Sequence, residues 1–377
     1  MKLTSRERLQ RIFEGKEIDR PALKLWGAGL HSEDRRYLNP AYAPVGKLAA
    51  EKSDLFLGAG SAFCFQGGMR LPEITESYSE DTADPTWKDG HVIYHTPKGD
   101  LHMRHRYSTI GEPGYVLEHM VKEPEDIEKL LSIPYEPYPI DVKSFYDVEA
   151  VLGDRGVTMF GTPNVGLVLH DMLGSEGLAY FSVDYRDELV HLAKVYDSRL
   201  YDYIKAVLDT GIKAPFSWVG PEVFIPPLLS PKDFETFVFD IEKPICDMIH
   251  EHGCHVWVHC HNKVANFVER FIEMGVDVLN PLEPPPSGDI LLGKMVSRYS
   301  NRIGWEGNIE IQELLLSSPE RIRHLIDECV ALGKDSGRFI LCPSAGFEEY
   351  VYPTQHYINN LLLYLSYGYD VLEACRK

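Results

Sequence analysis

Two imidazoles two residues apart, His259 and His261, stand near the end of the run His255-Val256-Trp257-Val258-His259-Cys260-His261-Asn262. Gly253 ends the helical segment before it, and the run reads as a strand. Side chains on a strand alternate between its faces. Cys254, Val256, Val258 and Cys260 then share a small or apolar face suited to a covering helix, while His255, Trp257, His259 and His261 share the other. Two imidazoles on one face can reach a common metal ion or anion. Zinc held by His259 and His261 with a carboxylate or thiolate would leave a position for substrate. The plainer alternative is a pair of hydrogen-bonding histidines at a barrel mouth.

Other candidates fall where strands give way to loops. Glu283 follows a strand at 276–280 and precedes Pro284-Pro285-Pro286, and Glu222 follows one at 214–218. Both can serve as general base or ligand beside His261, or merely as loop salt bridges. Glu306 and Asn308 are expected just past a strand at 302–305, as substrate contacts or as a helix cap. Cys342 ends a strand and is either a third metal ligand or an inert buried thiol. Thr162-Pro163-Asn164-Val165-Gly166 precedes a helix, so its amides could face an anion or a polar ring. Trp218 and Trp257 could wall a pocket, although core packing is the competing role. His250-Glu251-His252-Gly253 looks metal-rich, but residues two apart do not share a helix face, and it reads as a helix end. Gly58-Ala59-Gly60-Ser61 lacks the helix and acidic partner of a nucleotide fingerprint.

The elements needed to position these groups are regular after about residue 155, where strand and helix alternate as in βαβ units. Strands are expected at 157–160, 214–218, 255–261, 276–279, 302–305 and 338–342. With 22–26 and 54–57 they make eight, the number of a (β/α)8 barrel; a doubly wound sheet is the competing topology. Thr4-Ser5-Arg6-Glu7 is a capping box that opens an amphipathic helix stopped at Gly15. Within about 70–122, β-type runs at 92–95 and 101–104 around Pro97-Lys98-Gly99-Asp100 indicate a hairpin insertion. The whole of 1–377 is expected to be one domain.

The 377 residues carry a net charge of −19, which argues against nucleic acid or an anionic membrane surface as main partner. An apolar fraction of 44 % is ample for a large core. Seven cysteines without paired spacing suit reduced thiols in a cytoplasmic protein. No apolar run reaches transmembrane length, and the acidic surface permits a homodimer.

Ordered motifs extend this reading. Thr4-Ser5-Arg6-Glu7-Arg8-Leu9, Asp19-Arg20-Pro21, Leu229-Ser230-Pro231-Lys232-Asp233-Phe234 and His259-Cys260-His261-Asn262 are followed by three more. These are Asn280-Pro281-Leu282-Glu283-Pro284-Pro285-Pro286, Gly307-Asn308-Ile309 and Leu341-Cys342-Pro343-Ser344-Ala345-Gly346. The set resembles the uroporphyrinogen decarboxylase superfamily, (β/α)8 barrels that include the haem-pathway decarboxylase and corrinoid-dependent methyltransferases. The decarboxylase's arginine signature after its first strand is replaced by Leu25-Trp26-Gly27-Ala28-Gly29-Leu30-His31, so the resemblance points to the methyltransferase branch. It implies methyl transfer between a corrinoid (cobalamin) on a partner protein and a small acceptor such as tetrahydrofolate or a thiol. It also implies a zinc site of His-x-Cys plus a late Cys. Here His259 matches the histidine, His261 replaces the first cysteine, and Ala345 stands at the late position, with Cys342 three residues earlier. The expected assignment is Glu283, Glu222 and His261 catalytic; His259, His261 and Cys342 on metal; Asn164, Trp218, Asn280, Glu306 and Asn308 on substrate. The competing functions are a small-carboxylate decarboxylase or lyase with His259 and His261 as proton donors, and a non-catalytic corrinoid-binding protein.

Overall fold

A computed structural model describes residues 2–29, 39–347 and 352–376; Leu30 and His31 lie outside the described residues. Eight parallel strands form the barrel sheet. They are β1 (Ala22–Leu23), β2 (Leu55–Ala59), β7 (Gly156–Gly161), β8 (Pro215–Val219), β9 (His255–His259), β10 (Val278–Asn280), β11 (Gly304–Ile309) and β12 (Phe339–Pro343). Their order around the sheet is β1-β12-β11-β10-β9-β8-β7-β2. Between β2 and β7 the chain makes a second, antiparallel sheet of β3 (Thr75–Asp81), β4 (Trp87–Thr96), β5 (Gly99–Ser108) and β6 (Tyr115–Glu118). The expected hairpin is its centre, β4 and β5, each ten residues long.

Eight strands must return to the first to close a barrel, and β1 is only two residues long. Asp54 closes the seam. Its backbone N–H donates to the Leu23 carbonyl at 2.7 Å, and its carboxylate accepts the Leu23 N–H at 2.9 Å. The same carboxylate accepts from Arg8 at 2.6 Å and Arg20 at 3.3 Å. Asp19 accepts from Arg8 at 2.8 Å, and also pairs with Arg376. These charges are buried but mutually paired, the condition under which burial is tolerated.

The N-terminal helix Ser5–Glu14 carries both halves of the capping box, Thr4 with Glu7, and ends on Gly15 in the left-handed region. Its Leu9, Ile12 and Phe13 pack with Val157, Met159, Trp257, Val278 and Ile340, the inward side chains of the barrel. The helix therefore plugs the end from which the strands start. Buried Arg338 fastens it by donating to the carbonyls of Ile12 at 2.7 Å and Phe13 at 2.8 Å. Chemistry is left to the opposite, C-terminal rim. No helix among the described residues is long and apolar enough to cross a membrane.

Candidate active site at the barrel rim

Strand β9 alternates as its sequence requires. Cys254, Val256, Val258 and Cys260 face the outer core, whereas Trp257 belongs to the inner cluster. The strand ends at His259, so His261 stands on the loop just beyond. The two rings meet edge to face with Nε2 atoms 2.7 Å apart.

Proton positions around them follow from the partners. Asn280, ending β10, places its Nδ2 2.8 Å from Glu306 Oε1 and 3.4 Å from the Glu306 carbonyl, both acceptors. Its Oδ1 therefore accepts from His259 Nδ1 at 2.5 Å. Burial, then the charge of His261, push His259 down to about 3, so that ring is neutral and its Nε2 is an acceptor. His261 Nε2–H donates to it. On the other side His261 Nδ1 lies 2.7 Å from Glu283 Oε1, and Glu283 Oε2 accepts the Asn262 N–H at 2.8 Å. Burial opposes the charge on His261, but the hydrogen bond and charge of Glu283, with the charges of Glu222 and Glu310, hold its pKa above the usual value. Glu283 is held below its own despite burial, by the same hydrogen bond and charge. The pair is an imidazolium and a carboxylate.

Tight backbone packing makes this possible. Asn262 has φ 73° and Leu282 φ 59°, left-handed conformations that turn the two loops towards each other. Gly288 lies against them: a Cβ there would sit 2.3 Å from the Glu283 carbonyl oxygen and 2.9 Å from that of Asn262. Gly307 plays the same part under Pro281, whose carbonyl oxygen a Cβ would meet at 2.2 Å.

Glu222, on the turn after β8, and Glu310, just after β11, each keep one buried carboxylate oxygen without a hydrogen-bond partner. Burial raises both pKa values, and both groups interact electrostatically with His261 and Glu283. Glu310 was not among the expected residues, although it follows its strand much as Glu222 does. Lys24 was also missed. Its ammonium is 2.6 Å from Glu306 Oε1 and lies over the rings of Phe56, Trp26 and Trp257 at 4.2, 4.7 and 4.8 Å. With Trp26 and Trp257 it lines a cavity of about 510 Å³ on the inner side of β1, β2, β7, β8 and β9, and Trp26 packs 4.7 Å from the His259 ring.

Several expected residues stand elsewhere. Strand β11 runs on to Ile309, so Glu306 is inside it and fully buried, accepting from Lys24, Trp257 and Asn280. Asn280 is likewise fully buried and spent on Glu306 and His259. Asn308 donates to the Leu282 carbonyl and lines a separate cavity of about 530 Å³ beside Glu310 and the three prolines. Asn164 caps the helix Val165–Asp184, accepting the Leu167 N–H at 2.7 Å and donating to Val219. Trp218 alternates outward and donates to Glu242 of the covering helix at 2.9 Å, away from the mouth. Cys342 is fully buried against Glu306 and Lys24. Two of the implied zinc donors are thus together and the third is not. Among the described residues no three His, Cys, Asp or Glu side chains form a group that could hold a metal. The donor set among the described residues falls short of a zinc site.

A parallel eight-stranded barrel with its polar groups gathered at the C-terminal rim defines the class. Residues 168–355 match the profile of the uroporphyrinogen decarboxylase (URO-D) family. The chain belongs to that superfamily, and five of the seven motifs quoted above lie within the matched stretch. Over its length it is similar to the structure of a methyltransferase from Methanosarcina mazei, with 14 % identity, 99 % of this chain and 100 % of that chain covered, and a TM-score of 0.59. At that identity the likeness shows the fold. A 3-keto-D-glucoside 4-epimerase from E. coli aligns at 13 % identity over 63 % of this chain and 92 % of its own, with a TM-score of 0.35 that carries no argument. No curated protein matches the sequence.

Proposed function

We propose that the chain is a methyltransferase that moves a methyl group between a corrinoid carried by a partner protein and a small acceptor such as tetrahydrofolate or a thiol. The observation that carries this reading is the His261–Glu283 ion pair at the C-terminal rim, with the unpartnered carboxylate oxygens of Glu222 and Glu310 beside it. The corrinoid would supply or receive the methyl group as a cation equivalent. An S–H or N–H acceptor loses its proton as the bond from its lone pair to the methyl carbon forms. His261 already carries both ring protons, so it serves as fixed positive charge beside a developing thiolate rather than as the base. Glu222 and Glu310, whose buried carboxylates bind protons more readily than usual, are placed to take that proton.

The test mixes the protein with methylcobalamin, free or loaded on a corrinoid protein, and with tetrahydrofolate or a small thiol, following the corrinoid's visible spectrum. Acceptor-dependent loss of the methylated spectrum, at least tenfold slower in Glu283→Ala, is expected. An unchanged spectrum with every acceptor would end this reading. Zinc content, measured for wild type and His259→Ala/His261→Ala, belongs to the same experiment. About one zinc per wild-type chain, absent from the double variant, would restore the metal-assisted route.

A second reading, a small-carboxylate decarboxylase or lyase, is favoured by the imidazolium state of His261, which has protons to give. Only His261 could be its donor, because His259 Nε2 has none. A pH–rate profile set by one group near the imidazole range, with full activity under chelation, would select it.

A further inference from the structure

Six side chains, three from strands β9, β10 and β11 and three from the loops after β1, β9 and β10, form one unbroken line of hydrogen bonds, which Trp257 joins at Glu306. Lys24 donates to Glu306 at 2.6 Å and Trp257 Nε1 donates to its other oxygen at 2.8 Å. Asn280 donates to Glu306 at 2.8 Å and accepts from His259 at 2.5 Å. His259 and His261 share the 2.7 Å contact, and His261 faces Glu283 at 2.7 Å. Every member but His261 is more than nine-tenths shielded from solvent.

An amide is ambiguous by itself, because its oxygen and nitrogen can exchange places. Asn280 has no such freedom here: beside a carboxylate that already holds Lys24 and Trp257, only its NH2 end can face Glu306. That leaves its oxygen for His259, which must answer with Nδ1–H. The Nε2 lone pair then has to face His261. The direction of every bond is thus fixed at the Lys24–Glu306 end and read out at the rim.

We infer that Asn280, oriented by the buried Lys24–Glu306 pair, is a positioning residue that holds His259 in its Nδ1–H tautomer, so that His259 acts as acceptor and His261 as the proton-bearing ring. Its value for methyl transfer rests on the function proposed above; the tautomer itself does not. The arrangement resembles the way a second group orients a working histidine in enzymes generally, except that the oriented ring here serves another imidazole.

The experiment labels the histidines with 15N in the full chain and reads ring protonation from long-range 1H–15N correlations, with His259 assigned by its absence in His259→Gln. Wild type is expected to show His259 with Nδ1 protonated and Nε2 bare. Asn280→Leu removes the acceptor at similar volume and is expected to lose the Nδ1–H form. Asn280→Asp, which can only accept from His259, is expected to restore it, and guards against mistaking misfolding for a loss of orientation. Lys24→Met/Glu306→Gln removes the ionic anchor as a neutral pair and is expected to yield a mixture of both tautomers. A wild-type His259 protonated at Nε2, or a tautomer indifferent to Asn280→Leu in a folded protein, would overturn the inference. If the tautomer follows the prediction while the spectrum with methylcobalamin never changes, the methyltransferase reading fails and the positioning role stands.

Discussion

Glu283 does two things at once, accepting from the His261 ring through one oxygen and from the Asn262 backbone through the other. Glu283→Gln keeps the size but supplies one acceptor instead of two, so His261 should lose its main stabilising partner. A histidine NMR titration should find the apparent pKa of His261 lower than in wild type, with the wild-type value above the ordinary 6.5. The sign for stability follows from both shifts. The raised His261 contributes stability that is complete below the ordinary histidine value and fades as pH rises through its folded value. The lowered Glu283 contributes stability that is complete above 4.5 and fades as pH falls through its folded value. The pair is fully effective only between these limits. Gly288 guards the same geometry, since a Cβ would sit 2.7 Å from that of Glu283. Gly288→Ala should cost about 1–3 kcal/mol in urea denaturation, as overpacked sites do, and should displace Glu283 enough to lower the His261 pKa as well.

Among the elements, the long helical run Pro231–Glu251 contains a π-helical turn at Glu235–Phe239 and Pro244 inside its last segment. It carries Glu242 under the barrel wall, where burial raises the carboxyl to about 8 although Trp218 donates to it. Its raised folded pKa gives stability that is complete below the unfolded value of 4.5 and is lost as pH rises to about 8. Denaturation curves for Glu242→Gln should lack that slope, which reaches at most about 1.4 kcal/mol per pH unit; parallel curves for the two proteins would refute the burial effect. Strand period and βα spacing made the barrel and the two faces of β9 readable, because both depend on local pattern. Strand ends were less so: β11 continues past the apolar stretch because Glu306 finds Lys24, a residue 282 positions away, inside the barrel. No local signal marks such a pair: Lys24 stands in the middle of the expected 22–26 strand, and nothing nearby in the sequence shows what it will meet. Outer strands β3 and β6 escaped notice for another reason, since nearly all of β3 is exposed and lacks apolar alternation. Trp218 shows the limit of residue type alone, as the alternation of β8 decides which way an indole points.

For the whole molecule, the decisive joint is the seam at Asp54, where one side chain replaces a missing strand ladder. Asp54→Ala would leave Arg8 and Arg20 short of a buried partner and Leu23 without its acceptor. A loss of about 3–5 kcal/mol in urea denaturation is expected, with the rim histidines' tautomers unchanged if the protein still folds. In the same network burial opposes the charge of Asp19, but the hydrogen bond and charge of Arg8 lower its pKa. Its contribution is complete above about 3.8 and disappears as pH falls through the depressed folded value. The seam also governs the order in which a ribosome could deliver the fold. Ala22 finds its ladder partner in Ile340, so the first strand emerges with almost the entire chain still to be made. Until the last strand appears, β1 has Asp54 and the packing of Ala22 against the N-terminal helix to hold it, and the nascent protein must wait as an open, curved sheet with its first edge exposed.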